Sequence, residues 1–164
     1  MPAVGFLEID GIPGDSKIKG FEDQIEVVWW GYNISQPVSR GASGRGSLTT
    51  GAANVAPFQI TKKMDQASPK LMLHSYNGKH IPKITLTLRR QAGDQFVTFC
   101  EIELEDAVIS TYQRVADITG DGLPEELVGF TFSKMRKTYK ATDSTGKETG
   151  QTQAEIDLRT GDSA

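Results

Sequence analysis

The segment Ile84-Thr85-Leu86-Thr87-Leu88-Arg89 alternates between apolar and polar side chains at every step. Because successive side chains of a β-strand point to opposite faces of a sheet, this alternation predicts a strand with one dry and one wet face. The same pattern recurs in segments rich in β-branched and aromatic residues. These segments are 3–10, 24–34, 55–62, 83–90, 95–105, 106–115, 127–140 and 152–159. The chain is therefore predicted to be mainly β.

One helix is predicted, at about 69–77. Ser68 is a residue type that caps helix N-termini, Pro69 suits the first turn, and Gly78 supplies a left-handed stop. The apolar positions expected to rest on the sheet are Leu71, Met72 and Tyr76. We therefore expect a short, half-buried helix on the flank of the sheet.

Two connections between the predicted strands are informative. The segment Gln91-Ala92-Gly93-Asp94 joins two strong strands and predicts a hairpin turn. Residues 35–54 form a long stretch rich in Gly and Ser without any periodicity. A loop of this length in a compact domain is typically functional or disordered. Its cations Arg40 and Arg45 and its apolar Leu48 would be exposed if the protein were alone.

Length and composition limit the kind of protein this can be. The 164 residues suit one domain, 1–164, with a single core. The net charge of −3 lacks the basic excess that nucleic-acid binding needs. The longest apolar run, 27–32, is far shorter than the roughly 18 residues of a membrane span. A lone cysteine, Cys100, and no basic region within residues 1–8 predict cytoplasmic folding without a cleavable signal peptide.

Three polar patterns could suggest a metal or an acidic site. Residues 117–122 resemble the start of an EF-hand calcium loop, but its twelfth position is Val128 instead of Glu, so a plain strand connection is favoured. His74 and His80 are too few for a metal site, even with Cys100. The alternating acids Glu101, Glu103 and Glu105 are expected to line the wet face of one strand. No metal or cofactor is predicted.

The pair Trp29-Trp30 lies on one predicted strand, followed by Tyr32. Since neighbouring strand residues point to opposite faces, only one of the two Trp side chains can enter the core. The other is expected to contact a ligand or another subunit. The sequence assembles no catalytic constellation, which argues against an enzyme.

An ordered set of segments suggests a family. These are Ile25-Glu26-Val27-Val28-Trp29-Trp30, Ser35-Gln36 with its Gly/Ser/Arg loop, Phe58-Gln59-Ile60-Thr61-Lys62-Lys63-Met64-Asp65, Ser68-Pro69-Lys70-Leu71, Gly78-Lys79-His80-Ile81-Pro82 and Arg89-Arg90-Gln91-Ala92-Gly93. In order and spacing this set closely resembles the haemolysin-coregulated protein (Hcp) family of type VI secretion systems. The match covers nearly the whole chain.

The resemblance implies a compact β-barrel of two packed antiparallel sheets, with the helix at about 69–77 on its flank and a long extended loop at about 35–54. It also implies homo-hexameric rings that stack into the inner tube of the secretion apparatus. Such rings meet sheath, spike and baseplate proteins and can carry effector proteins in their lumen. The protein would assemble in the cytoplasm and then be secreted through the apparatus, without catalysis, nucleic acid or membrane insertion.

The resemblance also suggests which residues make contacts. The corresponding loop of the family reaches a neighbouring ring, which implies a ring or subunit interface at Arg40, Arg45, Ser47, Leu48 and Thr49. A lumen or subunit contact is implied at Trp30, Gly31 and Tyr32. Gly31 stands where some members carry a serine that takes part in effector retention, so retention through that contact is in doubt here.

Two other functions stay open from the sequence. One is a monomeric β-barrel carrier of a small lipophilic ligand, which would need an apolar cavity. The other is a hydrolase that uses His80 with Asp94 or Asp121 as an acid/base pair.

Overall fold

The computed structural model describes residues 4–42, 44–116 and 122–164, with the side chains of 115 and 116 excepted. Within these ranges the chain forms twelve strands and one helix. They are β1 (Val4–Ile9), β2 (Ile25–Val27), β3 (Trp29–Gly31), β4 (Ile34–Ser35), β5 (Val38–Arg40), β6 (Leu48–Thr50), β7 (Asn54–Val55), β8 (Phe58–Lys63), α1 (Ser68–Asn77), β9 (Ile81–Ala92), β10 (Gln95–Ala116), β11 (Glu125–Thr142) and β12 (Glu148–Asp157).

Eight strands form one antiparallel sheet in the order β2-β1-β9-β10-β11-β8-β3, with β12 also paired to β11. The two ends of this path, β2 and β3, are separated in the chain by Val28 alone. The amide of Val28 donates to the carbonyl of Thr61 in β8, at 2.8 Å. The sheet thus returns to its starting point and nearly closes into a barrel, which confirms the predicted fold class.

The barrel is built from one continuous sheet because β10 and β11 are 22 and 18 residues long. Register shifts between Thr98 and Cys100 and between Ile109 and Thr111 mark irregularities where such a long strand can bend. The strands predicted at 95–105 and 106–115 are therefore a single strand. At the junction, Asp106 has a left-handed backbone conformation, with φ of 49°. The predicted hairpin turn between β9 and β10 is confirmed, with Gly93 at a φ of 62°.

The inward faces of the strands fill the barrel. Ile84, Leu86 and Leu88 are each 1% exposed, as their alternation predicts. The largest side chains of the core include Phe6, Phe58 and Phe130, which also have almost no exposed surface. Fully burying a side chain of this size contributes about 1.5–3 kcal/mol to folding. The core is thus supplied by strands far apart in the chain.

Helix α1 lies beside β10 and buries Leu71 completely. It ends at Gly78, whose φ of 62° is the predicted left-handed stop. The predicted cap at Ser68 is wrong: Ala67 holds the cap position without a side-chain hydrogen bond, because the Ser68 hydroxyl is engaged in a buried polar cluster. The predicted apolar face is wrong in part, since Met72 is 57% and Tyr76 is 89% exposed.

Residues 34–55, which we call the arm, form a β-hairpin where the sequence shows no periodicity. Strand β4 pairs with β7 and β5 pairs with β6, both antiparallel. Most of its side chains are exposed. An apolar alternation arises only where one face of a strand is buried, so the sequence carries no such signal here.

Candidate functional site

The outer part of the arm, residues 36–51, projects from the barrel, whereas Val55 at its end packs against the core. Within the described structure, the hydrogen bonds of residues 36–51 join arm residues to one another. Gln36 Nε2 donates to the Gly51 carbonyl at 2.8 Å, and the hydroxyls of Ser39 and Thr49 lie 2.9 Å apart. An isolated two-stranded hairpin is at best marginally stable in water. A projecting hairpin without a core of its own is typical of a segment that binds a partner.

The predicted interface residues share this arm. Arg40 lies directly opposite Leu48, and Thr49 lies opposite Ser39. Arg45 and Ser47 belong to the turn between β5 and β6. These side chains are all exposed.

The two faces of the arm differ in chemistry. Directly opposed residues of an antiparallel pair share a face, and so do residues two apart on one strand. Val38, Arg40, Leu48 and Thr50 therefore lie on one face, whereas the Ser39–Thr49 hydroxyl pair lies on the other. Val38 is 54% and Leu48 is 56% exposed. One face of the arm is thus apolar and cationic, and suits a partner with apolar and acidic groups.

The three residues expected to contact the lumen or another subunit, Trp30, Gly31 and Tyr32, lie just before the arm in the chain, at its foot. Trp30 and Tyr32 are half-buried and pack against the core, with ring centroids 6.2 Å and 5.7 Å from that of Phe58. The Tyr32 hydroxyl accepts a hydrogen bond from Lys137 Nζ at 2.9 Å, and this bond raises the pKa of the Lys137 ammonium. Trp30 and Tyr32 thus offer only part of their surface to a partner.

The exposed member of the tryptophan pair is Trp29, which the predicted contacts did not include. Its side chain is 51% exposed, and its ring lies over Gly31. A Cβ atom placed on Gly31 would come within 2.7 Å of Trp29 Cη2. The alternation rule requires one outward Trp but does not say which. Gly31 lies two residues after Trp29, so the two residues share a face of the strand. The missing side chain of Gly31 leaves room for the Trp29 ring, and this was the signal available in the sequence.

A buried polar cluster joins α1 to the barrel. Lys62 Nζ lies 3.0 Å from Glu126 Oε2, 2.8 Å from Asp65 Oδ1 and 3.1 Å from Ser68 Oγ. Ser68 Oγ donates to Glu126 Oε2 at 2.8 Å, and the Tyr112 hydroxyl donates to Glu126 Oε1 at 2.6 Å. The Lys62 side chain has no exposed surface. A serine beside a lysine could act as a nucleophile, but this pair is closed to substrate, so the cluster cross-links the fold.

The protonation states follow from these contacts. Burial acts to raise the pKa of the Glu126 carboxyl, but hydrogen bonds from Tyr112, Ser68 and Lys62 outweigh it and lower that pKa below its ordinary value. The pKa of the Tyr112 hydroxyl is raised, by burial and by its bond to the Glu126 carboxylate. The cluster therefore holds an ionised carboxylate and a protonated phenol at neutral pH.

His80 has a different partner from those proposed for a hydrolase. Its Nδ1 lies 2.8 Å from Asp106 Oδ1, and Ser133 Oγ donates to Asp106 Oδ2 at 2.7 Å. The whole of β9 separates His80 from Asp94 in the turn that follows, so a pair between them is wrong. Asp121 lies outside the described residues, as does the calcium-loop motif apart from its last residue. Since Ser133 bonds to the carboxylate instead of the imidazole, the three groups are not arranged as a nucleophile with its base.

The acids of β10 line the wet face of their strand, as predicted. Glu103 lies between Lys83 and Arg136, at 3.3 Å and 3.2 Å, and Lys140 pairs with Glu101 at 3.3 Å. Cations of neighbouring strands therefore neutralise them. In the described part of the chain, no group of three His, Cys, Asp or Glu side chains could hold a metal ion. No helix among those residues is long and apolar enough to cross a membrane.

Comparisons with known proteins agree on one family. The family model described as "Type VI secretion system effector, Hcp" matches residues 6–139. The chain is 30% identical to Protein hcp1 of Pseudomonas aeruginosa over 145 residues, which cover 88% of each chain. It is 27% identical to the Major exported protein of the same organism over 142 residues, which cover 82% of this chain and 80% of the relative.

The fold gives the same result. A solved structure described as a type six secretion system protein superposes with a TM-score of 0.89 at 27% identity, and covers 99% of this chain and 100% of its own. The family match spans strands β1 to β11, including the arm and helix α1. The chain therefore belongs to the Hcp family of type VI secretion system proteins.

Proposed function

We propose that this chain is a structural subunit of the type VI secretion inner tube. It forms hexameric rings in the cytoplasm, and these rings stack through the arm into a tube. The secretion apparatus then exports the tube from the cell. The observation that carries this proposal is the projecting outer part of the arm, whose apolar and cationic face has no partner on its own barrel. Export is supported by the likeness to the Major exported protein of Pseudomonas aeruginosa.

A free sheet edge supports contact between subunits within a ring. Strand β12 pairs with β11 on one side. On its other side, the C-terminal residues 162–164 form backbone hydrogen bonds only with residues 155–157, at the end of the strand. Among the described residues, 148–154 have no strand on that second side. An unpaired edge of this length favours association with another chain. Closure of a ring covers such edges in every copy.

The arm residues Arg40, Arg45, Ser47, Leu48 and Thr49 form the contact between rings in this proposal. Trp29 joins Trp30, Gly31 and Tyr32 as the contact surface at the foot of the arm, facing the lumen or the next subunit. Because Gly31 carries no hydroxyl, effector retention rests on other groups, and the exposed Trp29 ring supplies apolar surface for it. Sheath, spike and baseplate proteins are the further partners, and the subunit has no catalytic role.

The small-ligand carrier has no comparable support. It requires an apolar cavity inside the barrel, but packed side chains such as Phe6, Phe58 and Phe130 occupy the described interior. We therefore propose no second function.

The native mass of the purified protein tests the proposal. Native mass spectrometry and negative-stain electron microscopy of the full chain should show six-subunit rings, with some particles made of two or more rings. A uniformly monomeric protein at high concentration would overturn the proposal. A bound lipophilic molecule in such a monomer would favour the carrier instead.

A further inference from the structure

A groove of about 330 Å³ lies at the end of β8 that is remote from the arm. Its apolar lining includes Val28, Met64 and Leu123, which are 55%, 42% and 44% exposed. The carboxylates of Asp15 and Glu26 also line it and are exposed. The groove is thus an apolar surface with acidic groups beside it.

Strand β8 sets the position of the groove relative to the arm. The arm joins β8 just before Phe58, whereas Lys63 and Met64 at the other end of the strand line the groove. A strand of six residues is about 17 Å long. The arm and the groove are therefore at opposite ends of the same strand, as the two halves of a contact between consecutive copies would be.

The charges of the two surfaces are complementary. The arm carries Arg40 and Arg45 and has no Asp or Glu anywhere between residues 33 and 57. In the groove, Asp15 and Glu26 have no ion pair with any of the described residues, whereas the third lining carboxylate, Asp65, is held by Lys62. Lys63 adds one cation to the lining. Asp15 and Glu26 outnumber this cation, so the groove suits a cationic segment such as the arm.

The apolar groups match as well. Val38 and Leu48 share the arm face that also carries Arg40, and both are more than half exposed. Covering them against Val28 and Met64 removes apolar surface of both copies from water, which stabilises the contact. Electrostatic complementarity then fixes the register of the two surfaces.

We propose that the arm of one copy docks into the acidic groove of the next copy along the tube. This inference rests on the proposed function and names the surface that receives the arm. A contact between two different surfaces is heterologous, and since the two surfaces lie at opposite ends of strand β8, the same contact can repeat from one ring to the next. Rings joined in this way stack head-to-tail, with every arm pointing the same way.

A charge swap tests the pairing. Glu26→Arg and Arg45→Glu should each raise the protein concentration at which half of the rings are stacked by about tenfold or more, since close interfacial charge pairs are worth at least that. The double variant should recover most of the loss. The matched control is Glu8→Arg, at an exposed acid on β1 that has no ion pair within the described part of the chain, and it should neither weaken stacking nor rescue Arg45→Glu. Sedimentation velocity and particle images measure stacking.

The outcomes separate the two proposals. If the wild-type protein forms no rings, both the proposed function and the docking fail. If rings stack and Arg45→Glu weakens them but Glu26→Arg does not, the tube subunit stands and the groove is wrong. Rings that never stack at any concentration also overturn the docking.

Cross-linking tests the polarity of the contact independently. Cys100 is buried, so single added cysteines can be paired selectively. In a mixture of Leu48→Cys and Met64→Cys proteins, mild oxidation should join unlike chains, because a disulfide requires the two Cα atoms to be within about 7 Å. Leu48→Cys mixed with Leu158→Cys is the control and should give few such pairs. Predominant pairing of Leu48→Cys with itself would show arm-to-arm contact and contradict the proposal.

Discussion

Lys62 Nζ lies 3.0 Å from Glu126 Oε2, and both side chains are buried, at 0% and 3% exposure. This ion pair connects β8 to β11, and through Ser68 it connects both strands to the start of α1. The attraction of two buried charges offsets the cost of removing them from water only while both partners remain. The position of the helix on the barrel therefore depends on an intact cluster.

Removing the charge of Glu126 should destabilise the protein strongly. Glu126→Gln leaves the Lys62 ammonium buried with only Asp65 as a counter-ion, and breaking such a pair costs about 3–5 kcal/mol. Chemical denaturation measures the change in the free energy of unfolding. Glu148→Gln, at an exposed acid without a described ion pair, should change it by less than about 0.5 kcal/mol. Equal effects of the two substitutions would show that the cluster contributes little.

The same cluster predicts how stability depends on acid. The folded-state pKa of the Glu126 carboxyl is below its ordinary value of 4.5. The stabilisation is therefore fully present above pH 4.5 and is lost as the pH falls through the lower, folded-state pKa. The free energy of unfolding should decrease as the pH falls through this range. Glu126→Gln should make the free energy of unfolding depend less steeply on pH. A slope that is the same in both proteins would contradict this role.

Shortening Leu86 should cost about 2–5 kcal/mol, because Leu86→Ala leaves a cavity in a packed core in addition to the lost burial. Leu86 is 1% exposed, whereas Leu73 on α1 is 53% exposed and offers the matched change, Leu73→Ala. Chemical denaturation and soluble yield measure the effect. Similar losses for the two variants would contradict the inward orientation of Leu86.

The elements that sequence predicts best are those whose signal is local. The alternation around Leu86 places its face in the core, and Gly78 ends the helix because few other residues adopt a positive φ easily. The Ser68 cap fails because the hydroxyl is taken by Lys62 and Glu126, the latter 58 residues away. A local pattern cannot report a partner that only the tertiary fold brings near.

The candidate site is predicted less completely, for a related reason. The sequence predicts the arm as a long connection with exposed Arg40, Arg45 and Leu48. It does not predict the strands of the arm, because neither face of the arm is buried on the barrel. The groove around Glu26 is also missed, because its lining comes from segments far apart in the chain. Residues that make contacts outside their own chain leave little periodic signal in the sequence.

Adding a methyl group at Gly31 should displace the ring of Trp29. A Cβ atom at this position would lie 2.7 Å from Trp29 Cη2, closer than real Cβ contacts allow, and the exposed indole can swing away. In a Trp30→Phe background, Gly31→Ala should change the emission and the acrylamide quenching of Trp29. Ala56→Gly, a small change at another residue that borders the same surface depression as Trp29 and Gly31, should leave both signals unaltered. Unchanged emission in Gly31→Ala would show that the ring does not rest on Gly31.

Placing a charge on the apolar face of the arm should weaken ring stacking without unfolding the barrel. Leu48 is 56% exposed, and its strand pairs only with the other strand of the arm, so Leu48→Asp should leave the free energy of unfolding within about 0.5 kcal/mol of the wild type. A buried, unpaired carboxylate at the contact between copies is costly, so multi-ring particles should become rare while single rings persist. Arg45→Asp should act in the same direction. Leu158→Asp, at a leucine that is 45% exposed near the C-terminus, is the matched control and should stack like the wild type. Unfolding of Leu48→Asp would place the arm inside the core, and normal stacking would remove it from the interface between rings.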